Sequence, residues 1–208
     1  MNRRSLIRGL ALAAALPLAA CGGILPVPQA PKNLYNLSPK STFNPDLPRV
    51  EWQLVIEESL ASGGLDTARI AVRPSPLELG YFGEVRWTER APKMVQTLLV
   101  ESFENSGTIV AVGRQAIGLR ADFSLKTEIR EFQVENYNGG KIRVRINAKL
   151  IRQPRQVIVR SASFETVVDD PDPESMETTV RAWDEAMGTV LRDIVEWTIR
   201  EGERAYIP

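Results

Sequence analysis

Cys21 is the one thiol in the 208-residue chain, and no histidine accompanies it. Imidazole is the commonest general base and metal ligand, so its absence removes the serine and cysteine triads that use it and the usual zinc sites. No GxGxxG stretch or P-loop occurs. The densest carboxylate group is Asp169, Asp170, Asp172 and Glu174. It lacks the glycine and the distal glutamate of a calcium loop. A helix start accounts for it instead, with Asp172 as N-cap and Pro173 at the first helical position. Paired carboxylates could serve glycoside hydrolysis, but no pair is singled out by its setting. The sequence names no catalytic residue, no metal ligand set and no cofactor site, and an enzyme is not expected.

The distinctive chemistry left is the setting of Cys21. Residues 1–8 carry Arg3, Arg4 and Arg8 and no acid; residues 9–20, GLALAAALPLAA, are apolar but short. A bilayer-spanning helix needs about 20 apolar residues. A basic start, a short apolar centre and small residues before a cut mark an export signal. Pro17 and the Gly/Pro stretch after Cys21 argue against a buried N-terminal helix. Leu18-Ala19-Ala20-Cys21 resembles the bacterial lipobox. That resemblance implies cleavage between Ala20 and Cys21, a diacylglyceryl group on the Cys21 sulfur and acylation of the new amino terminus. One acyl chain, at about 0.8 kcal/mol per buried CH₂, anchors only marginally, whereas two or three hold firmly. Arg3-Arg4 also fits a twin-arginine signal, so both that route and the general secretory route stay open. Gly22, where an aspartate would imply inner-membrane retention, implies the outer membrane, on its periplasmic side.

Cleavage would remove residues 1–20, which hold three arginines and no acid, and leave 188 residues with a formal charge of about −3. That length suits one domain with a full core. Nucleic acid is not expected as a partner, because it wants a basic face. Residues 21–33, with Pro26, Pro28 and Pro31, read as a lipid-anchored tether reaching roughly 35 Å at proline-rich extension. Residues 34–208 read as a single periplasmic α+β domain.

The elements that would position any surface follow from periodicity. Residues 51–58 alternate Trp52, Leu54 and Ile56 with polar neighbours, and 68–73 repeat the pattern until Pro74 and Pro76. A connector around Tyr81 and Trp87 leads to a helix that carries Val95, Leu98, Leu99 and Phe103 on one face, with Pro92 in its first turn and Gly107 at its end. A strand at 108–112 precedes three antiparallel segments at 121–135, 141–151 and 156–168. In the first, the apolar positions switch from odd (Phe123, Leu125, Ile129) to even (Phe132, Val134), which predicts a bulge near Arg130 and Glu131. Asn138-Gly139-Gly140 predicts a hairpin turn. A last helix, to about residue 202, buries Val180, Trp183, Met187, Val190, Leu191, Ile194 and Val195. The expected fold is an α+β two-layer domain, an antiparallel sheet with the two main helices packed on one face.

Two surface features could meet a partner. Arg143, Arg145 and Lys149 line the wet face of one strand. They read either as a cross-strand salt-bridged surface or as a docking face for an acidic partner. Tyr81, Phe82 and Trp87 are aromatics in a connector, able to anchor an interface or to fill the core beneath it.

The chain as a whole resembles the ABC-type transport auxiliary lipoproteins of the paraquat-inducible protein C type. The resemblance is carried by the lipobox cysteine, Tyr35-Asn36-Leu37, Arg69-Ile70-Ala71-Val72 with Pro74 and Pro76, and Tyr81. It continues through Val85-Arg86-Trp87-Thr88-Glu89-Arg90-Ala91-Pro92, Val95-Gln96-Thr97-Leu98-Leu99, Ala121-Asp122-Phe123-Ser124-Leu125, Phe132 and the acidic loop before the last helix. It implies an envelope lipoprotein working with an ABC transporter and an MCE-domain protein to move lipids between the membranes. In that setting the chain would be a docking or scaffold subunit at the outer membrane, and a homo-oligomer such as a ring of copies is one arrangement it admits. A lipid-binding carrier with its own apolar cavity, and an assembly lipoprotein for an outer-membrane barrel, are the alternatives.

Overall fold

The computed structural model describes residues 33–114, 120–137, 139–170, 172 and 174–206. The expected export signal, with Ala20 and Cys21, lies outside the described residues. In chain order the elements are β1 (Asn33–Tyr35), β2 (Val50–Ile56), β3 (Leu60–Ala61), β4 (Arg69–Ser75) and β5 (Glu78–Trp87), then α1 (Ala91–Ser106) and β6 (Ile109–Arg114). They continue with β7 (Phe123–Glu135), β8 (Lys141–Arg152), β9 (Val157–Asp169) and α2 (Met176–Ala205). β1 begins at Asn33, the last residue the sequence assigns to the tether.

The long strands β7, β8 and β9 form an antiparallel meander. Strict alternation on β8 puts Ile142, Val144, Ile146, Ala148 and Leu150 in the core and leaves Arg143, Arg145, Asn147 and Lys149 on the other face. The phase switch on β7 is a bulge: Ile129 pairs with Ile146, but the next paired residue is Glu131, opposite Arg145. Gly139 and Gly140 turn the chain into β8 with φ of 90° and 77°, conformations that residues with a Cβ adopt at a penalty.

The sheet is mixed, which corrects the antiparallel expectation. The other edge of β7 takes three short strands end to end, all parallel to it. β2 pairs at Phe123–Leu125, β3 at Glu128–Ile129 and β4 at Val134–Glu135. β6 and β1 add further parallel pairs, to β2 and β5. Antiparallel pairing occurs where a short turn joins neighbours; here α1 and β6 intervene between the early strands and β7, and such a crossover returns the chain parallel.

β5 occupies the stretch expected to be a connector. Pro76 and Leu77 make the turn of a β4–β5 hairpin. Pro74 is tolerated in β4 because its pairing with β7 ends at Arg73. The register of β5 is irregular, since Arg69 faces Arg86 while Ala71 faces Tyr81, and no clean alternation marks it.

Both helices cover the core side of the sheet, α1 against β2 and β6, α2 against β8 and β9, with the helices touching each other. α1 carries proline in its first turn and ends on Gly107 at φ 62°. α2 is capped by Ser175, whose hydroxyl accepts from the Thr178 N–H, and not by Asp172. Asp172 sits one turn earlier, where its carbonyl accepts the Ser175 N–H at 3.0 Å. The expected apolar stripe of α2, from Val180 to Val195, is buried throughout.

Trp52, Trp87, Trp183, Phe103, Phe123 and Phe132 are among the largest fully buried side chains. Trp87 meets Trp183 edge to face at 5.0 Å, and Trp52 meets Phe123 the same way at 5.2 Å. The described core runs from Leu37 to Ile199. Residues 36–49 then cross over the helices as a strap. The Ser38 N–H donates to Asp184 Oδ1 on α2 at 2.6 Å and the Asn44 N–H to Glu196 Oε1 at 2.9 Å. On α1, Ser102 Oγ accepts from the Lys40 N–H at 2.9 Å and Asn105 Nδ2 donates to the Lys40 carbonyl at 3.1 Å. Leu37 and Leu47 are buried beneath the strap. No helix among the described residues is long and apolar enough to cross a membrane.

Candidate interaction surface

The sheet face turned away from the helices carries the charged rows of β7, β8 and β9. Arg143, near the start of β8, donates to the Glu135 carboxylate on β7, with Nε to Oε1 at 2.8 Å, and also contacts Glu165 on β9. Glu135 is almost buried. Burial opposes its ionisation, yet the hydrogen bonds and charge of Arg143, with help from Tyr137 and Gln133, hold the carboxyl below its ordinary value. The Glu135 hydrogen bond, working against burial and supported by Glu165, keeps the Arg143 guanidinium protonated more firmly than usual. Arg145 pairs with Glu131 at 2.9 Å, and Arg73 of β4 approaches the same carboxylate at 3.6 Å. Lys149 faces Lys126 on β7 and Ser161 on β9. Lys126 is held by Glu57 at 3.3 Å.

The three basic residues singled out in the sequence therefore share one strand face but not one electrostatic state. Arg143 and Arg145 are neutralised by cross-strand carboxylates, while Lys149 has no carboxylate partner among the described residues. Surface pairs contribute about 0–1 kcal/mol each; Arg145 makes one of these, whereas Arg143 reaches an almost buried carboxylate and is the firmer tie, so the face is tied together more than it is charged.

The aromatic candidates separate. Tyr81 is half-buried; its hydroxyl donates to the Gly64 carbonyl at 2.9 Å, and the Arg69 guanidinium lies 3.6 Å from its ring centroid. Trp87 is 1% exposed, packed on Phe132 and Trp183. An indole on β5, rather than in a connector, points inward with the strand, and a partner has no access to it. Phe82 packs partly against the core.

The sequence reading missed several exposed apolar side chains. Leu77, at the β4–β5 turn, is 100% exposed, and Leu60, Leu79, Val110, Val157 and Ile158 are also exposed. Their only sequence signal is position next to turns. A cleft of about 370 Å³ between β2, β7 and the β8–β9 turn is lined by Glu57, Ser124, Lys126, Gln153 and Gln156. A second, of about 220 Å³, lies beside Leu77 and Leu79 with Arg73, Arg130 and Glu131. Both have charged walls. No cluster of three metal-ligating side chains occurs among the described residues.

Solved relatives share this architecture. The crystal structure of protein XCC0632 from Xanthomonas campestris superposes with a TM-score of 0.76 at 29% identity, over 83% of this chain and 98% of that one. A second crystal structure, of an uncharacterised protein, gives 0.64 at 15% identity over 79% and 97%, a likeness of fold alone. An uncharacterised protein of Bradyrhizobium diazoefficiens is 26% identical over 171 residues, or 82% of this chain, which spans 46% of that relative's length. These relatives bring no enzyme family with them. The family model of the ABC-type transport auxiliary lipoprotein component matches residues 35–195, from β1 through most of α2, and the chain belongs to that family.

Proposed function

We propose that the chain is a lipid-anchored, periplasmic docking or scaffold subunit of an ABC transport system of the MCE type, held at the outer membrane through Cys21. The observation that carries the docking reading over a carrier is the filled interior. The space between sheet and helices, where an acyl chain would sit, is occupied by interlocked Trp87, Phe132 and Trp183. The outer side of the helix pair is closed by the strap. A ligand pocket for an apolar molecule needs an apolar concavity; the larger cleft carries Glu57 and Lys126, and the smaller sets Arg73, Arg130 and Glu131 among its leucines. What the fold offers a partner is surface, and surface is how a non-catalytic auxiliary subunit acts.

The test is a cross-linked pull-down of the tagged, lipidated protein from envelopes, with captured partners identified by mass spectrometry. The expected result is an MCE-domain protein with its transporter subunits. Recovery of an outer-membrane barrel in their place overturns the transport role. Native mass spectra of the purified protein should show no bound phospholipid; a stoichiometric phospholipid adduct would favour the carrier.

A further inference from the structure

The two ends of the β7–β8–β9 meander differ in charge. At one end the β8–β9 turn, residues 153–156, leads into Val157 and Ile158, which are 53% and 54% exposed. Residues 120–122 lie beside it, since the Gln153 N–H donates to the Asp122 carbonyl at 2.8 Å. Arg120 and Arg155 are exposed there, and neither has a carboxylate partner among the described residues. Most of the acids nearby are engaged, Glu51 and Glu203 being exposed. Glu57 holds Lys126, Asp122 accepts the Gln53 N–H, and Glu201 takes both Arg160 and Arg204. The opposite end carries Glu78 at the β4–β5 turn and Asp169, Asp172 and Glu174 at the exit from β9, all exposed, with Lys141 near Asp169 at 3.7 Å.

We propose that the β8–β9 end docks on an anionic bilayer surface. Unpaired arginines beside exposed β-branched side chains are what an interface of anionic headgroups over acyl chains accepts. It neutralises the bases without demanding a fixed geometry, and it takes the apolar tips a short way in. The charge asymmetry along the meander sets the orientation, because the acidic end is repelled by the same surface. Docked this way, the domain turns Glu78 and the fully exposed Leu77 away from the membrane. The inference does not depend on the transport partners, so it and the docking role fail separately.

The test uses residues 22–208, which contain the whole of the compact unit 31–208, with folding checked by circular dichroism. Co-flotation is measured with vesicles of phosphatidylcholine alone and of phosphatidylcholine with an equal part of phosphatidylglycerol. Binding is expected to the anionic vesicles only, with loss at high salt. Arg120→Glu with Arg155→Glu is expected to lower the partition coefficient by about tenfold or more, and Val157→Ser with Ile158→Ser to lower it at low salt. Glycerol phosphate alone should not compete at concentrations matching the lipid. Absence of flotation, equal flotation on neutral vesicles, or binding that survives the double charge reversal overturns the proposal; so does full competition by glycerol phosphate, which would mark a site for a free anion.

Discussion

The indole of Trp52 occupies the place where a side chain on Gly202 would begin: a Cβ there would lie 2.4 Å from Cζ2 of the tryptophan. Helix α2 can pass this close to β2 only because residue 202 has no side chain. Both partners are rigid, one an aromatic ring at 0% exposure and the other helical backbone. Gly202→Ala is expected to destabilise the fold by about 1–3 kcal/mol through overpacking, despite alanine's higher helix propensity. Urea denaturation checks it; a variant as stable as the parent would mean that the helix end is not held against Trp52.

Trp87 is a core residue, and Trp87→Ala should remove about 3–5 kcal/mol of stability. Thermal melts and partner capture measured together separate the possibilities. If the variant keeps its melting temperature and loses the partner, the indole acts at a surface.

The Glu135–Arg143 pair makes stability depend on pH. The folded pKa of Glu135 lies below its ordinary value of 4.5. Its contribution is therefore fully present above the unfolded value and is lost as pH falls through the folded one. Arg143 stays protonated across this range. The expected outcome is a fall in unfolding free energy below about pH 5 that is shallower in Glu135→Gln, with that variant also less stable at pH 7. Urea melts at several pH values decide it, and parallel acid slopes in the two proteins would remove Glu135 from the account.

The cap of α2 is the Ser175 hydroxyl. Ser175→Ala should cost about 1 kcal/mol, whereas Asp172→Ala should change stability by less than about half that, because the carbonyl of residue 172 makes the turn. Equal losses at the two positions would shift the cap toward the acidic loop.

Cys21→Ala is expected to leave the protein out of the outer-membrane fraction after a high-salt wash, because the acyl chains provide the durable part of membrane attachment. Fractionation with blotting reads this directly. Pelleting unchanged in the variant would refute the lipid anchor.

β8, with strict alternation, β7, with a single switch of phase, and the helices with a continuous apolar stripe were legible in the sequence, as was the bulge at Arg130. Alternation identifies which face a residue takes but says nothing of which strand lies beside it. The parallel docking of β2, β3 and β4 along β7 was therefore hidden. β5 escaped notice because its register slips between Ala71 and Arg69, which erases the period. Asp172 and Ser175 are both good cap residues, and only the backbone conformation at Ser175 decides between them. Among the candidate surface residues, alternation put Arg143, Arg145 and Lys149 on one face, but their carboxylate partners sit on other strands and could not be assigned. Leu77, Val157 and Ile158 were missed for the converse reason: an apolar residue beside a turn reads as an end of core.

The strap over the helices also decides how the domain carries load. A pull on the chain ahead of Asn33 enters through β1 and its pairing with β5, then runs into residues 36–49. That segment is fastened crosswise to both helices, at Asp184 and Glu196 on one and at Ser102 and Asn105 on the other. Tension from a membrane attachment would load the edge pair β1–β5 first and pass next to several hydrogen bonds and two buried leucines before it reaches the centre of the sheet. The domain can serve as the fixed end of a cable without its core taking the first strain.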